Sequence, residues 1–275
     1  MAGAACAVAL VAVSDIVPLL YMVRLSLAKV GGGVGGAYAA VLRDHVFIRS
    51  LLNTALFAVG AATAQVGAGL VIALALRPLS RAACMAWFAV LLAPWLMSEV
   101  ASVVLWRGVL MADVGHLDRW MGAFGLPALR MLAGAHTALP ALIVVATWQG
   151  IGFTALVILG ALVALPANLY GAAMICGLNR WATFLRLELP HLKPTLFAVW
   201  VAVALHSAGQ FALPARLTMG GPMHATSMAS IYLFDRLLHD PTPAMAAAGG
   251  AIVLAGLATA CVAAWCLRRV TGAHP

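Results

Sequence analysis

Charge is scarce in this 275-residue chain: Asp, Glu, Lys and Arg together make up 9% of it, against 64% hydrophobic residues. A soluble domain is roughly half apolar and a quarter charged, so water is excluded as the main solvent. Long polar stretches are lacking too. The connections between apolar runs reach only about 30 residues, too few for a separate domain with its own core, and residues 1–275 read as a single membrane domain. The eight acidic residues against 16 basic ones leave a net charge of +8. The basic residues are scattered singly and never cluster with aromatics, which excludes a nucleic-acid surface. Cysteine is sparse as well, and Cys6, Cys84, Cys176, Cys261 and Cys266 have neither metal-ligand nor redox-pair spacing. They read as small apolar residues. No metal site and no cofactor is expected.

What the chain does have is apolar length. A membrane span needs about 20 apolar residues, and six runs qualify, near 4–23, 51–76, 84–106, 138–163, 195–214 and 244–267. The expected fold is therefore all-α, a polytopic protein with about six helices crossing a lipid bilayer. The first run lacks the basic leader of a cleaved signal peptide and is expected to stay as an anchor. Orientation is not written in the charges. With the N-terminus inside, seven Lys/Arg fall on the inner side and nine on the outer, so the positive-inside rule is nearly silent.

Punctuation divides the chain further. Asp15 and Pro18 interrupt the first run, and Gly31 to Gly36 leads through Arg43 and Asp44 as a flexible outer loop. The third run contains Pro94 and Glu99 and ends in the interfacial pair Trp106-Arg107. No tandem repeat of fixed period is present. From 165 to 194 polar residues return between prolines. There, 168–178 forms a short helix, Gly177 turns the chain, and 180–189 forms a second helix that Pro190 and Pro194 stop.

That loop carries a resemblance. Leu165-Pro166 with Tyr170, Gly171, Ala172 and Ala173, followed by Cys176, Gly177, Arg180, Trp181, Phe184, Pro190 and Pro194, resembles the EAA loop of binding-protein-dependent permeases of ATP-binding-cassette (ABC) importers. One apolar run later, Thr218, Gly220, Gly221 and Pro222, with Thr226 and Tyr232, resemble the Thr-x-Gly-Gly-Pro segment of the maltose and glycerol-3-phosphate branch. Two motifs in the right order are more specific than either alone. The resemblance implies a permease in the bacterial cytoplasmic (inner) membrane that moves a sugar, polyol or glycerol-3-phosphate-like solute by alternating access. It implies four kinds of partner: a second permease subunit, two ATPase subunits, a periplasmic or lipid-anchored solute-binding protein, and the bilayer. The loop would dock on an ATPase subunit and act as a lever. Two positions depart from the pattern, for Gly171 and Cys176 stand where the family carries acids. Losing charge-assisted contacts weakens docking, so coupling is expected to be weaker, to rest on the partner permease, or to be lost.

Some polar residues fall within the apolar runs. Glu99 and Asp15 are costly there and read either as residues facing a pathway or as structural partners, Glu99 pairing with Arg107 or a helix end. Trp148, Gln149, His206, Ser207 and Gln210 suit the wall of a polar solute route, although each singly is also an ordinary interhelical hydrogen-bonding residue. Gly31, Gly33 and Gly36 match a dinucleotide fingerprint by letter but lack the surrounding βαβ unit, and no phosphate-binding loop occurs. ATP hydrolysis is therefore expected on a separate subunit. Three further readings remain at this point: the same architecture importing a polyamine or anion, an uncoupled permease, and a membrane-embedded enzyme using His116, His136 or His206. The enzyme reading requires convergent acid-base pairs in one span, and none is seen.

Overall fold

The computed structural model describes residues 12–28, 35–112, 114–239 and 243–270, with the backbone alone at 12, 15, 167, 172, 174 and 267–270. In bilayer hydrocarbon every backbone N–H and C=O must be satisfied within the chain, and the described residues meet that demand with helices and no strand. After a π-helical turn, Ala12–Ile16, come α1 (Val17–Ser26), α2 (Gly36–Arg43), α3 (His45–Leu76), α4 (Arg81–Leu96), α5 (Glu99–Leu110) and α6 (His116–Ala123). Then follow α7 (Ala138–Val163), α8 (Ala167–Ile175), α9 (Arg180–Thr183), a second π-helical turn (Phe184–Glu188) and α10 (Leu189–Ala208). The chain closes with α11 (Ala212–Leu217), α12 (Ala229–His239) and α13 (Ala244–Val270).

Among the described residues three helices are long and apolar enough to cross a membrane, namely α3, α7 and the Ala244–Cys266 part of α13, and the bent pair α4/α5 makes a fourth if taken as one span. The expected third run is thus broken. Pro94 lies in the last turn of α4, the chain extends at Met97 and Ser98, and α5 leaves at 95° to α4. The expected fifth run is displaced as well. Its helix begins at Leu189 and ends at Ala208, ahead of a short separate α11. Two other expectations need correction. The connection through Arg43 is a helix from Gly36 onward, because Ala37 and Val41 lie on one face of it and are fully buried. Pro190 and Pro194 do not stop the loop's second helix. Pro190 sits in the first turn of α10, where no N–H is needed, and helical backbone continues from Arg180 through both prolines to Ala208. Residues 4–11 of the first run, and the glycines from 31 to 34, lie outside the described residues.

The core forms where α3 and α7 lie side by side. Toward one end, Phe57 and Ala61 of α3 pack with Leu142 and Val145 of α7, Val103 of α5, Leu213 of α11 and Met228. Toward the other, Ala73 and Leu76 pack with Ile158 and Leu162, Phe88 of α4 and Leu192 of α10. Between these apolar layers lies a polar one: Gln65, 5% exposed, donates to the Ala146 carbonyl at 3.1 Å. Small residues permit the approach, since hydrocarbon supplies no hydrophobic drive and helices in lipid are held by close packing. A Cβ on Gly152 would land on the Leu91 carbonyl of α4. A third cluster, built from α2, α3, α12 and α13, is pinned by Asp44. Its carboxylate caps α3 through the Val46 N–H at 2.8 Å and accepts from the Tyr232 hydroxyl at 2.8 Å and Arg236 at 2.6 Å.

Two outcomes follow from this packing. Gly152→Ala should lower stability by about 1–3 kcal/mol, the range for overpacking a tight contact, whereas Gly160→Ala, with nothing within 4 Å of its Cβ, should be neutral or gain up to about 1 kcal/mol. Thermal unfolding of the detergent-solubilised chain reads both. Burial acts to raise the Asp44 pKa, but the bonds from Tyr232, Val46 and Arg236, with the Arg236 charge, outweigh it and leave the value below 3.8. A lowered carboxylate contributes stability that is present above 3.8 and lost as pH falls through the folded value. Asp44→Asn should abolish that acid-side loss, measured as Tm against pH from neutrality downward.

Candidate functional site

A partly open cavity of about 870 Å³ lies beside the Gln65 layer, walled by α3, α7, α10 and the α4/α5 break. Its volume falls within the roughly 300–1,000 Å³ of ligand pockets. Along α10 it is lined from Pro194 to His206 and on to Gln210, so it follows the helix for about 18 Å at 1.5 Å per residue. The α4/α5 break contributes Trp95, Met97 and Glu99. Ser98 caps α5 through the Ala101 N–H at 3.2 Å, leaving Glu99 as the first residue of that helix. Glu99 is therefore not inside a continuous helix. It lies at a helix N-terminus, where the dipole favours a carboxylate, and Arg107 is in the last turn of the same helix.

The structure brings Glu99, Gln149, His206 and Gln210 together on this wall. Trp148 is elsewhere. Successive helical residues are about 100° apart, so placing Gln149 on the cavity turns Trp148 toward α5, where it meets Trp106 edge-on at 5.5 Å. Ser207, only 1% exposed, is turned away for the same reason. Gln65, Thr154 and the pair Trp95–Phe153, stacked at 5.0 Å with planes 10° apart, complete the wall. Gln65 was visible in the sequence as a lone amide in an apolar run, whereas Trp95 and Phe153 come from separate helices and gave no signal. Gln210 Nε2 lies 3.4 Å from His206 Nε2, and the Gln149 Oε1, Thr154 Oγ1 and Gln210 Oε1 atoms have no partner within the protein.

At the end of α10 opposite His206 lies the loop. Asn179 caps α9 through the Ala182 N–H at 2.7 Å, and Gly177 turns the chain with φ +67°. Cys176, Gly177, Arg180 and Pro190 are exposed, Tyr170, Gly171 and Phe184 half-buried, and Ala173 only 4% exposed. The loop is tied to the bundle by charge. Arg77, at the C-terminal end of α3, pairs with Glu188 at 2.5 Å and lies 4.8 Å above the Tyr170 ring. Glu188 is 4% exposed. Burial works against the Arg77 charge, but the bond to Glu188 and its negative charge prevail and raise the arginine's pKa. Burial also raises the Tyr170 pKa, and the Glu188 charge adds to it. A cation shared between a buried carboxylate and an aromatic face thus joins α3, α8 and the start of α10. The Thr-x-Gly-Gly-Pro segment sits at the opposite end of the bundle. Thr226 donates to Gly221 O at 2.7 Å and Thr218 to Pro214 O at 2.9 Å, which holds residues 218–227 as a closed loop. Asn53 braces it from α3 by donating to the carbonyls of His224 and Ser227 at 2.9 and 3.1 Å.

Residues 58–272 match the family model described as binding-protein-dependent transport system inner membrane component. The chain belongs to that family. The permease is 28% identical over 147 residues to the trehalose/maltose transport system permease protein of Thermococcus litoralis, covering 54% of this chain and 50% of that one. It is 26% identical to the lactose transport system permease protein of Rhizobium radiobacter over 238 residues, 83% and 80% of the two chains. Its fold also matches a chain in the crystal structure of a bacterial alginate ABC transporter in complex with alginate pentasaccharide-bound periplasmic protein. There the TM-score is 0.87 at 20% identity, covering 98% of this permease and 94% of that chain.

Glu188→Gln should leave Arg77 partly buried without its counter-charge and cost about 1–2 kcal/mol, a buried-pair loss reduced for the partial exposure of the arginine. The reciprocal swap Arg77→Glu with Glu188→Arg should recover part of that loss. Differential scanning fluorimetry of the three proteins measures both effects.

Proposed function

We propose that this permease forms half of the translocation path of an ABC importer for a sugar or a related polyhydroxylated solute, and that it is driven through the 165–194 loop by an ATPase on a separate subunit. The single observation that carries this reading is the unbroken helical backbone from Arg180 to Ala208. One end of it is the loop bearing the Tyr170-Gly171-Ala172-Ala173 motif, and the other walls the cavity with His206. The helical backbone is continuous across the π-turn and both prolines, so the loop and the cavity wall are carried on one element and a displacement of the loop is passed toward the wall. The Arg77–Glu188 pair adds α3 to the same moving body. The trehalose/maltose and lactose permeases among the relatives favour a sugar over a polyamine or inorganic anion.

The permease pairs with a second permease, two ATPase subunits and an extracytoplasmic solute-binding protein. Its loop works without acids at 171 and 176, because the anchoring charge is supplied from within the chain by Arg77 and Glu188. Nothing lies within 4 Å of a Cβ on Gly171, so an acid there is sterically admissible but not needed. The test is ATPase activity of the co-purified complex, with the native loop and with Gly171→Glu plus Cys176→Asp. If the native complex assembles and loaded binding protein raises its ATP turnover, the loop couples. If only the doubly substituted chain assembles, the native chain has lost its motor and active import is the wrong assignment.

A further inference from the structure

The chemistry of the cavity wall narrows the solute beyond the sugar reading, on which this inference rests. We propose that the cavity selects sugars that are uncharged or carry an amino group and rejects those bearing carboxylate or phosphate, with Glu99 setting the preference. Among the described residues that line it, Glu99 is the only one with a formal charge, and no Lys or Arg reaches the wall. Anion recognition needs charged donors or free helix N-terminal amides. The one helix N-terminus at the cavity, that of α5, has its Ala101 N–H taken by Ser98 Oγ and carries Glu99 itself. The dipole there amounts to about half a positive charge, which leaves the end of the helix net negative.

The uncharged groups are consistent with this. Gln65, Gln149, Thr195 and Gln210 on the wall carry amides and hydroxyls that donate as well as accept, as a polyhydroxylated solute does, and none of them supplies the fixed positive charge that pairs with a carboxylate or phosphate. The stacked Trp95 and Phe153 rings offer an apolar face for the C–H side of a pyranose. The wall therefore differs in kind from one suited to an acidic polysaccharide such as alginate, the pentasaccharide of which is bound by the periplasmic protein in the alginate transporter structure.

The test uses the permease purified with its co-expressed partner subunits, set in nanodiscs, and followed by quenching of tryptophan fluorescence. The three probes are maltose, the glucosamine disaccharide and digalacturonate. The expected result is saturable quenching by the first two, lost in Trp95→Phe, with digalacturonate binding at least about tenfold weaker, as a like charge held nearby at intermediate dielectric requires. Glu99→Gln should bring digalacturonate to within about threefold of maltose, while Glu99→Asp, which folds with the same charge, should keep the discrimination. Equal binding of digalacturonate by the native protein, or discrimination unchanged in Glu99→Gln, overturns the charge preference alone. No quenching by any of the three overturns the reading of the cavity as a sugar path, and this inference with it.

Discussion

Two helix backbones, α3 and α7, lie against each other at residues too small to hold them apart, and the rest of the bundle is arranged around that contact. Gly69 of α3 faces Thr154 of α7, and Gly150 of α7 makes room for Gln65 of α3. In water such an approach would follow from burying apolar surface. In hydrocarbon it has to come from packing and from the few hydrogen bonds that cross the interface, and the Gln65 amide on the Ala146 carbonyl is one of them. Because the apolar clusters occupy the two ends of the contact, the polar layer falls at its middle. The cavity opens beside that layer. Holding α4 against α7 at Gly152 and placing α10 along α3, where Trp200 donates to Thr63 at 3.1 Å, completes the wall.

Mechanical continuity is the second consequence. The loop meets the bundle at one end through the Arg77, Glu188 and Tyr170 contacts, and the glycine-proline loop meets it at the other through Asn53 and Thr54. Both attachments end on α3. A helix fixed at its two ends by polar contacts and along its length by close packing does not bend independently of its neighbours, which is the property the proposed coupling through the loop requires. Gly171 and Cys176 carry no charge, and the loop's attachment to the bundle rests instead on Arg77 and Glu188. The charge that orders the loop sits at position 188, where buried surroundings and a single arginine make it effective.

Helix existence was legible because apolar length in this chain is unmistakable, and the runs at 51–76, 138–163 and 244–267 correspond to α3, α7 and α13. The loop could be read because a glycine at 177 acts locally, within a turn of the backbone. Misreadings arose where prolines were taken as endings. The opposite holds at Pro94, which the sequence placed inside a single run of 84–106: the helix ends at Leu96, two residues after it, and resumes at a steep angle beyond Ser98. Pro190 and Pro194 break nothing, since a first-turn position and a preceding π-helical turn accommodate them. Proline reports a missing N–H and a fixed φ, and whether a helix stops there depends on what packs around it.

The sequence by itself determined that the chain is an all-helical membrane protein, where its loops fall, and which family motifs it carries. These are properties of composition and of neighbours along the chain. Only the tertiary structure decided which polar residues share a wall. Glu99 became a cavity residue because the chain turns by 95° at Ser98, and Trp148 left the wall because one residue of helix is about 100° of rotation. Arg77 and Glu188 are 111 residues apart, and no local pattern announces that they pair. A charge in an apolar chain has to find a partner or a cavity, and the choice between the two is made by packing.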